Sequence, residues 1–184
     1  MLISKTKLPG VLELLPKKFG DERGFFSEVF KKEALCEYGF DDEFIQDNHA
    51  YSAEAGVLRG LHFQSPPFAQ DKLVRVTRGA ILDVAVDIRD GSPTFGESVV
   101  VELSAKNWKQ LLVPKGFAHG YLTLEPDTEV IYKVTNPYAP DHDRGIAWND
   151  PALAIDWGDV EDPILSAKDK VQPLLSEIEL EFTY

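Results

Sequence analysis

The chain has 184 residues, 43% of them hydrophobic and 27% charged, which suits one soluble domain, 1–184, with a substantial core. Its formal net charge of -12 argues against a nucleic-acid partner, while a few local cations would still suffice for an anionic small ligand. Cys36 is the only cysteine, so an intrachain disulfide is excluded and a reducing compartment is expected.

The first stretch, MLISKTKLPGVLELLPKKFG, has no apolar run of secretory-signal length, and no later segment reaches the length of a membrane span. A cytoplasmic protein with no membrane partner is expected. KKEALCEYGF (31–40) reads as a helix with Leu35, Ala34 and Tyr38 as its apolar side and Gly39 as its stop. VLRGLHFQ (57–64) reads as a strand that carries Arg59 and His62. These two are three residues apart, and a period of two puts them on opposite faces. Both can face one pocket only if the strand is irregular, and Gly60 is the place for a bulge.

KLVRVTRGAILDVAVDIR (72–89) alternates around Gly79. Leu73, Arg75 and Thr77 fall on one face and Val74 and Val76 on the other; then Leu82, Val84, Val86 and Ile88 oppose Asp83 and Asp87. Strands over 97–104, 109–116, 119–125 and 129–136 follow, with Gly, Pro, Asn and Asp in the gaps. SAKDKVQPLLSEIE (166–179) reads as helical, opening on a capping box of Ser166 and Asp169, with Pro173 limiting its first turn. The expected class is mainly β, a sandwich or barrel with short flanking helices.

The histidines at 49, 62, 119 and 142 invite a metal hypothesis. VPKGFAH (113–119) is similar to the second metal motif of cupin barrels, P-x-G-x-x-H. The first motif is broken: Gln64 stands where a second histidine belongs, and no glutamate follows before Gly79. A catalytic metal usually keeps three good protein ligands, so no metal is expected.

The blocks GFFSEVF, QDNHAYS, GVLRGLHFQ, KLVRVTRGAILDVAVDIR, SPTFG, PKGFAHGYLTL, YKVTNPY, WNDPALAIDW and LSAKD occur in this order. As an ordered set, from about Gly20 to Lys170, they resemble the dTDP-4-dehydrorhamnose 3,5-epimerase family. The resemblance implies a cupin-type jelly roll, assembled as a homodimer in which an N-terminal strand crosses to the partner. It implies the substrate dTDP-4-dehydro-6-deoxy-D-glucose, whose C4 ketone acidifies the hydrogens on C3 and C5. Inversion then needs a base on one face, an acid on the other and a stabiliser for the enolate, and by this implication no cofactor. By the same resemblance His62 is the base, Lys72 the cation for the C4 oxygen, Asp169 the carboxylate that orients the imidazole, and Tyr132 the acid. His119 falls close to the sugar. Arg23, Glu28, Gln46, Asn48 and Arg59 match positions that contact nucleotide or sugar, with the two arginines at the diphosphate, and Phe25 and Tyr138 match aromatic surfaces near the thymine.

Each residue also has a structural reading. His62 alone reads as a satisfied structural histidine. Asp169 reads as a helix cap, Tyr132 as a packing aromatic on a face with Val130 and Val134, His119 as a relic of the metal motif, and Lys72 as the solvated start of a strand. Asp71 stands beside Lys72 where a small residue is expected, and would either pair with it or be exposed. The charged loop 141–145 has no assigned role, and His49 and His142 read as loop or surface residues. Alternatives to double inversion are a C3-only epimerase of a deoxysugar pathway and a sugar-nucleotide-binding cupin without catalysis.

Overall fold

The computed structural model describes residues 1–184. In chain order the strands are β1 (Leu2–Lys5), β2 (Leu12–Leu15), β3 (Lys18–Asp21), β4 (Gly24–Ser27), β5 (Gln46–Ser52), β6 (Leu58–Gln64), β7 (Lys72–Arg78), β8 (Ala80–Asp87), β9 (Ser98–Ser104), β10 (Gln110–Val113), β11 (Phe117–Thr123), β12 (Thr128–Val134) and β13 (Asp143–Gly145). One α-helix, α1 (Lys32–Cys36), lies between β4 and β5. Six strands form one antiparallel sheet, β1-β2-β10-β7-β12-β5, and five form a second, β13-β6-β11-β8-β9. The β3–β4 hairpin stands apart as a two-stranded ribbon. This is the jelly-roll sandwich that the resemblance implies. No helix is long and apolar enough to cross a membrane.

Strand alternation sorts the side chains into three apolar clusters. Val74 and Val76 of β7 point between the sheets with Ile81, Ala85, Leu103, Val130 and Tyr121. Leu73 points outward and packs with Leu12, Leu14, Leu112, Leu35 of α1 and Phe40. Val84 and Val86 of β8, with Ile88 just after it, also point outward, where Leu153, Trp157 and Leu175 of the C-terminal segment cover them. The apolar face of β8 is therefore its back, and Asp83 is left facing the interior, fully buried.

The helix expected over 31–40 is shorter, Lys32–Cys36, and Gly39 ends it at φ +87° while the Phe40 N–H returns to the Leu35 carbonyl at 3.2 Å. Leu35 is its buried residue; Tyr38 is exposed and donates its hydroxyl to the Ile3 carbonyl at 3.0 Å. The helix expected over 166–179 does not form. Two single 3₁₀ turns, Asp169–Val171 and Leu175–Glu177, flank Pro173. Pro173 has no N–H to donate and its ring blocks continuation of a helix. The local cap is nevertheless real: the Asp169 N–H donates to Ser166 Oγ at 3.1 Å. Six strands escaped the sequence reading, β1 to β5 and β13, being short or, like QDNHAYS in β5, mostly polar and exposed.

The irregularity expected near Gly60 is present. His119 pairs with His62 and Tyr121 with Arg59, so two steps along β11 oppose three along β6. Gly60 carries φ +121°, and a Cβ there would lie 2.6 Å from the Gly120 Cα and 2.7 Å from the His119 carbonyl oxygen. The extra residue turns Arg59 and His62 to the same side.

Candidate active site

The open end of the sandwich holds a cavity of about 490 Å³ lined by Arg59, His62, Lys72, His119, Tyr121, Tyr132 and Asp169 among others. A second hollow of about 330 Å³ shares His62, Lys72 and Tyr132 with it and adds Gln46, Asn48, Tyr138, Asp143 and Lys168. Nine of the expected site residues thus converge from β5, β6, β7, β11, β12 and the segments after them. Arg23, Phe25 and Glu28 do not line either hollow. Arg23 is highly exposed and paired with Asp21, Phe25 stacks edge-on to Trp108 at 5.1 Å, and Glu28 borders a separate groove with Lys17 and Phe19.

His62 donates from Nε2 to Asp169 Oδ1 at 2.5 Å, across 107 residues of sequence. Its Nδ1 makes no hydrogen bond within the chain. A carboxylate on Nε2 fixes that nitrogen as the N–H and leaves Nδ1 with the lone pair, the tautomer a base needs. Burial alone would raise the Asp169 carboxyl, but the bonds from His62 and Ser166 and the nearby Lys168 charge bring it below its ordinary value. Cap and orienter are not alternatives: Oδ2 accepts from Ser166 at 2.8 Å while Oδ1 holds the imidazole.

Lys72 points into the cavity with only one long bond, Nζ to the His62 carbonyl at 3.4 Å. Burial pushes its ammonium down to about 8, against the opposing pull of Asp83 and Asp143. It is therefore neither a solvated strand start nor paired with Asp71. Asp71 points the other way, as alternation requires, and its carboxylate accepts from the Lys115 N–H at 3.0 Å and the Thr135 hydroxyl at 2.9 Å.

His119 sits opposite His62 and donates to Asp83 Oδ1 at 2.7 Å. Two histidine–aspartate pairs thus lie side by side on paired strands. Gln64, at the position of the missing metal-type histidine, is spent on loop contacts to the Phe68 and Pro137 carbonyls and the Ala139 N–H. Arg59 donates to the Tyr51 carbonyl at 3.2 Å and the Ser52 hydroxyl at 3.4 Å. Tyr132 is half-buried; burial raises its phenol and the Arg59 charge opposes this. In the second hollow Gln46 donates to Asn48 at 2.8 Å, and Asp143 accepts from Tyr138 at 2.9 Å and from Lys168.

Asp83, Tyr121, Asp143 and Lys168 were missed by the sequence reading. For Asp83 the signal was available: a carboxylate between Leu82 and Val84 in a core strand has to face something polar. The loop 141–145 now has a place. Asp143–Gly145 pairs with β6 opposite Gln64, Phe63 and His62, and His142 meets the Ser65 hydroxyl at 2.9 Å. His49 is a surface residue paired with Glu129 at 3.0 Å.

The comparisons with known proteins agree with one another. A family model described as dTDP-4-dehydrorhamnose 3,5-epimerase matches residues 5–177. A dTDP-4-dehydrorhamnose 3,5-epimerase of Sinorhizobium fredii is 51% identical over 184 residues, which is 100% of this chain and 94% of that protein. The solved dTDP-4-dehydrorhamnose 3,5-epimerase of Bacillus anthracis, with TDP and PPi bound, superposes at TM-score 0.91 with 53% identity, covering 94% of this chain and 98% of that one. A dTDP-6-deoxy-D-glucose-3,5-epimerase of Legionella pneumophila, in complex with dTDP-4-keto-L-rhamnose, gives TM-score 0.95 with 46% identity, covering 100% and 98%.

Proposed function

The chain belongs to the dTDP-4-dehydrorhamnose 3,5-epimerase family, and from that premise we propose how its pocket works. It is an isomerase that inverts C3 and C5 of dTDP-4-dehydro-6-deoxy-D-glucose, giving dTDP-4-dehydro-L-rhamnose for dTDP-L-rhamnose biosynthesis. The observation that carries the assignment of roles is the His62–Asp169 pair at 2.5 Å, set in one cavity with Lys72 and Tyr132.

His62 Nδ1 takes the proton α to the C4 ketone, and Asp169 stabilises the imidazolium that results. Electrons move onto the C4 oxygen, where the Lys72 ammonium meets the developing charge. Because the Lys72 ammonium is desolvated by burial, that interaction is stronger than between the same groups in bulk water. Tyr132 delivers a proton to the opposite face. Two such cycles, at C3 and C5, need no redox step and no net transfer of atoms, and the reading requires no cofactor. Arg59 offers the diphosphate a planar two-pronged donor, Gln46 and Asn48 offer amides to the nucleotide or sugar, His119 serves the sugar, and Tyr138 offers its ring to the thymine. These local cations answer the acidic total of the chain.

Arg23, Phe25 and Glu28 serve, on this reading, the pocket of a second copy in a homodimer. The free-standing β3–β4 hairpin supports this, as do the exposed Phe19, Phe25 and Phe26 on it and the exposed Leu2 of β1, apolar side chains that a lone monomer has no need to present. The single cysteine supports a reducing, cytoplasmic setting.

The test is proton NMR of dTDP-4-dehydro-6-deoxy-glucose in deuterated water without added metal. Deuterium at C3 and C5, lost in His62→Ala, is the expected result. Exchange at C3 alone would reassign the protein to single inversion, and bound but unexchanged ligand would leave a binding cupin.

A further inference from the structure

The acid step poses a problem that the roles above leave open. When Tyr132 gives up its proton it becomes a tyrosinate in a site whose burial already disfavours that charge. Arg59 supplies a positive charge nearby, but its guanidinium is also the donor that the diphosphate requires. A second hydrogen-bond donor beside the phenol would resolve the conflict.

Tyr121 is placed to be that donor. It sits on β11, directly across from Arg59 of β6 and Asp83 of β8. It is 5% exposed and lines the same cavity as Tyr132, and Tyr132 packs against the cluster that contains it. Its hydroxyl is buried without a hydrogen-bond partner. A phenylalanine would fill the same space and strand nothing, so the hydroxyl calls for a reason. Burial holds the Tyr121 phenol far above its ordinary value, so it keeps its proton throughout the working pH range.

We propose that Tyr121 is a positioning residue for the acid step: its free O–H turns to the Tyr132 oxygen as that phenol donates, and stabilises the tyrosinate. This rests on the epimerase reading of the pocket. The balance is simple. A C–H bond breaks and His62 gains the proton; the Tyr132 O–H bond breaks and a new C–H bond forms on the other face. Tyr132 is left as an oxyanion accepting from Tyr121, and exchange with water returns both His62 and Tyr132 to their starting states.

The test is Tyr121→Phe, which keeps the ring and removes the donor. Wild type and variant are incubated with dTDP-4-dehydro-6-deoxy-glucose in deuterated water, and both recovered substrate and inverted product are followed by NMR. Deprotonation by His62 persists in the variant, so deuterium enters recovered, uninverted substrate while inversion slows by about tenfold, the scale of a hydrogen bond to a charged group. The ratio of exchange without inversion to inversion therefore rises. In a Tyr132→Phe background, Tyr121→Phe should add less than about twofold, because its partner is gone. A variant whose exchange and inversion fall together, or do not change, would make Tyr121 a packing residue and overturn the proposal. A wild-type protein that neither exchanges nor inverts would instead overturn the epimerase reading beneath it.

Discussion

Asp169→Asn separates the two jobs of one carboxylate. The Asp169 side chain is 3% exposed and its Oδ1 lies 2.5 Å from His62 Nε2. At an effective dielectric of about 20, a full charge pair at that spacing attracts by roughly 7 kcal/mol gross. His62 acquires its charge only as it takes the proton, so about half of this, roughly 3 kcal/mol, is felt in the transition state. That corresponds to a loss of about 10²-fold in kcat. Asparagine can also present its amide N–H to Nε2 and impose the wrong tautomer, which extends the loss toward about 10⁴-fold. The Ser166 contact is the control. Ser166→Ala removes the partner of Oδ2 and of the Asp169 N–H but leaves the imidazole contact. It should cost about 1 kcal/mol of stability, or roughly 2–4 °C in Tm, and change kcat by less than about threefold. Steady-state turnover and thermal unfolding of the two variants give the answer. An Asp169→Asn enzyme that keeps more than about a third of wild-type kcat would show that the carboxylate is only a cap, and the base assignment would lose its support.

Two further outcomes follow from the same geometry. Lys72 is charged in a buried site with its ammonium at about 8, against 10.5 for a free lysine, so below about pH 8 the fold carries the cost of a desolvated cation. Lys72→Met should therefore raise Tm at pH 7 and lower kcat by about 10²- to 10³-fold; the gain in Tm should shrink between about pH 8 and 10.5, where wild-type Lys72 sheds its proton, and wild-type kcat/KM should decline through the lower end of that window. A flat alkaline profile would remove Lys72 from the chemistry. Gly60→Ala forces a Cβ to within 2.6 Å of the Gly120 backbone at a φ of +121°, which should cost roughly 3 kcal/mol in denaturant unfolding; a loss below about 0.5 kcal/mol would mean that the bulge relaxes freely.

The sequence read best where its alternation was strong. In 72–89 the period of two put Val74 and Val76 on one face and Leu73 and Arg75 on the other, and the structure keeps that split, with the valines between the sheets. It could not say which face of β8 was the interior. Apolar Val84 and Val86 proved to be the back of the sheet, because a C-terminal segment with little regular structure covers them. The paradox of Arg59 and His62 was solvable from the chain alone, since only Gly60 could absorb the extra residue. The 166–179 helix failed for the opposite reason: Ser166 and Asp169 give a true local signal, but Pro173 and the long-range pull of His62 leave two separate 3₁₀ turns. Arg23, Phe25 and Glu28 matched by pattern, yet they line neither hollow of their own chain, because a sequence match carries no information on distance.

The contact between His62 and Asp169 closes a loop of 107 residues. Its far end is tied down late in the chain, where Ile164 pairs with Val57 and Thr183 with Asp90. A nascent chain that has released β6 and even all of β12 still has no oriented base, because the carboxylate has not been translated. On the proposed roles, proton abstraction switches on only when the segment carrying Asp169 docks against β6, so the chemistry itself reports that this long-range contact has formed. Loss of the chain beyond about residue 160 would take Asp169 from His62 and also strip Leu165, Leu175, Ile178 and Phe182 from the back of the second sheet.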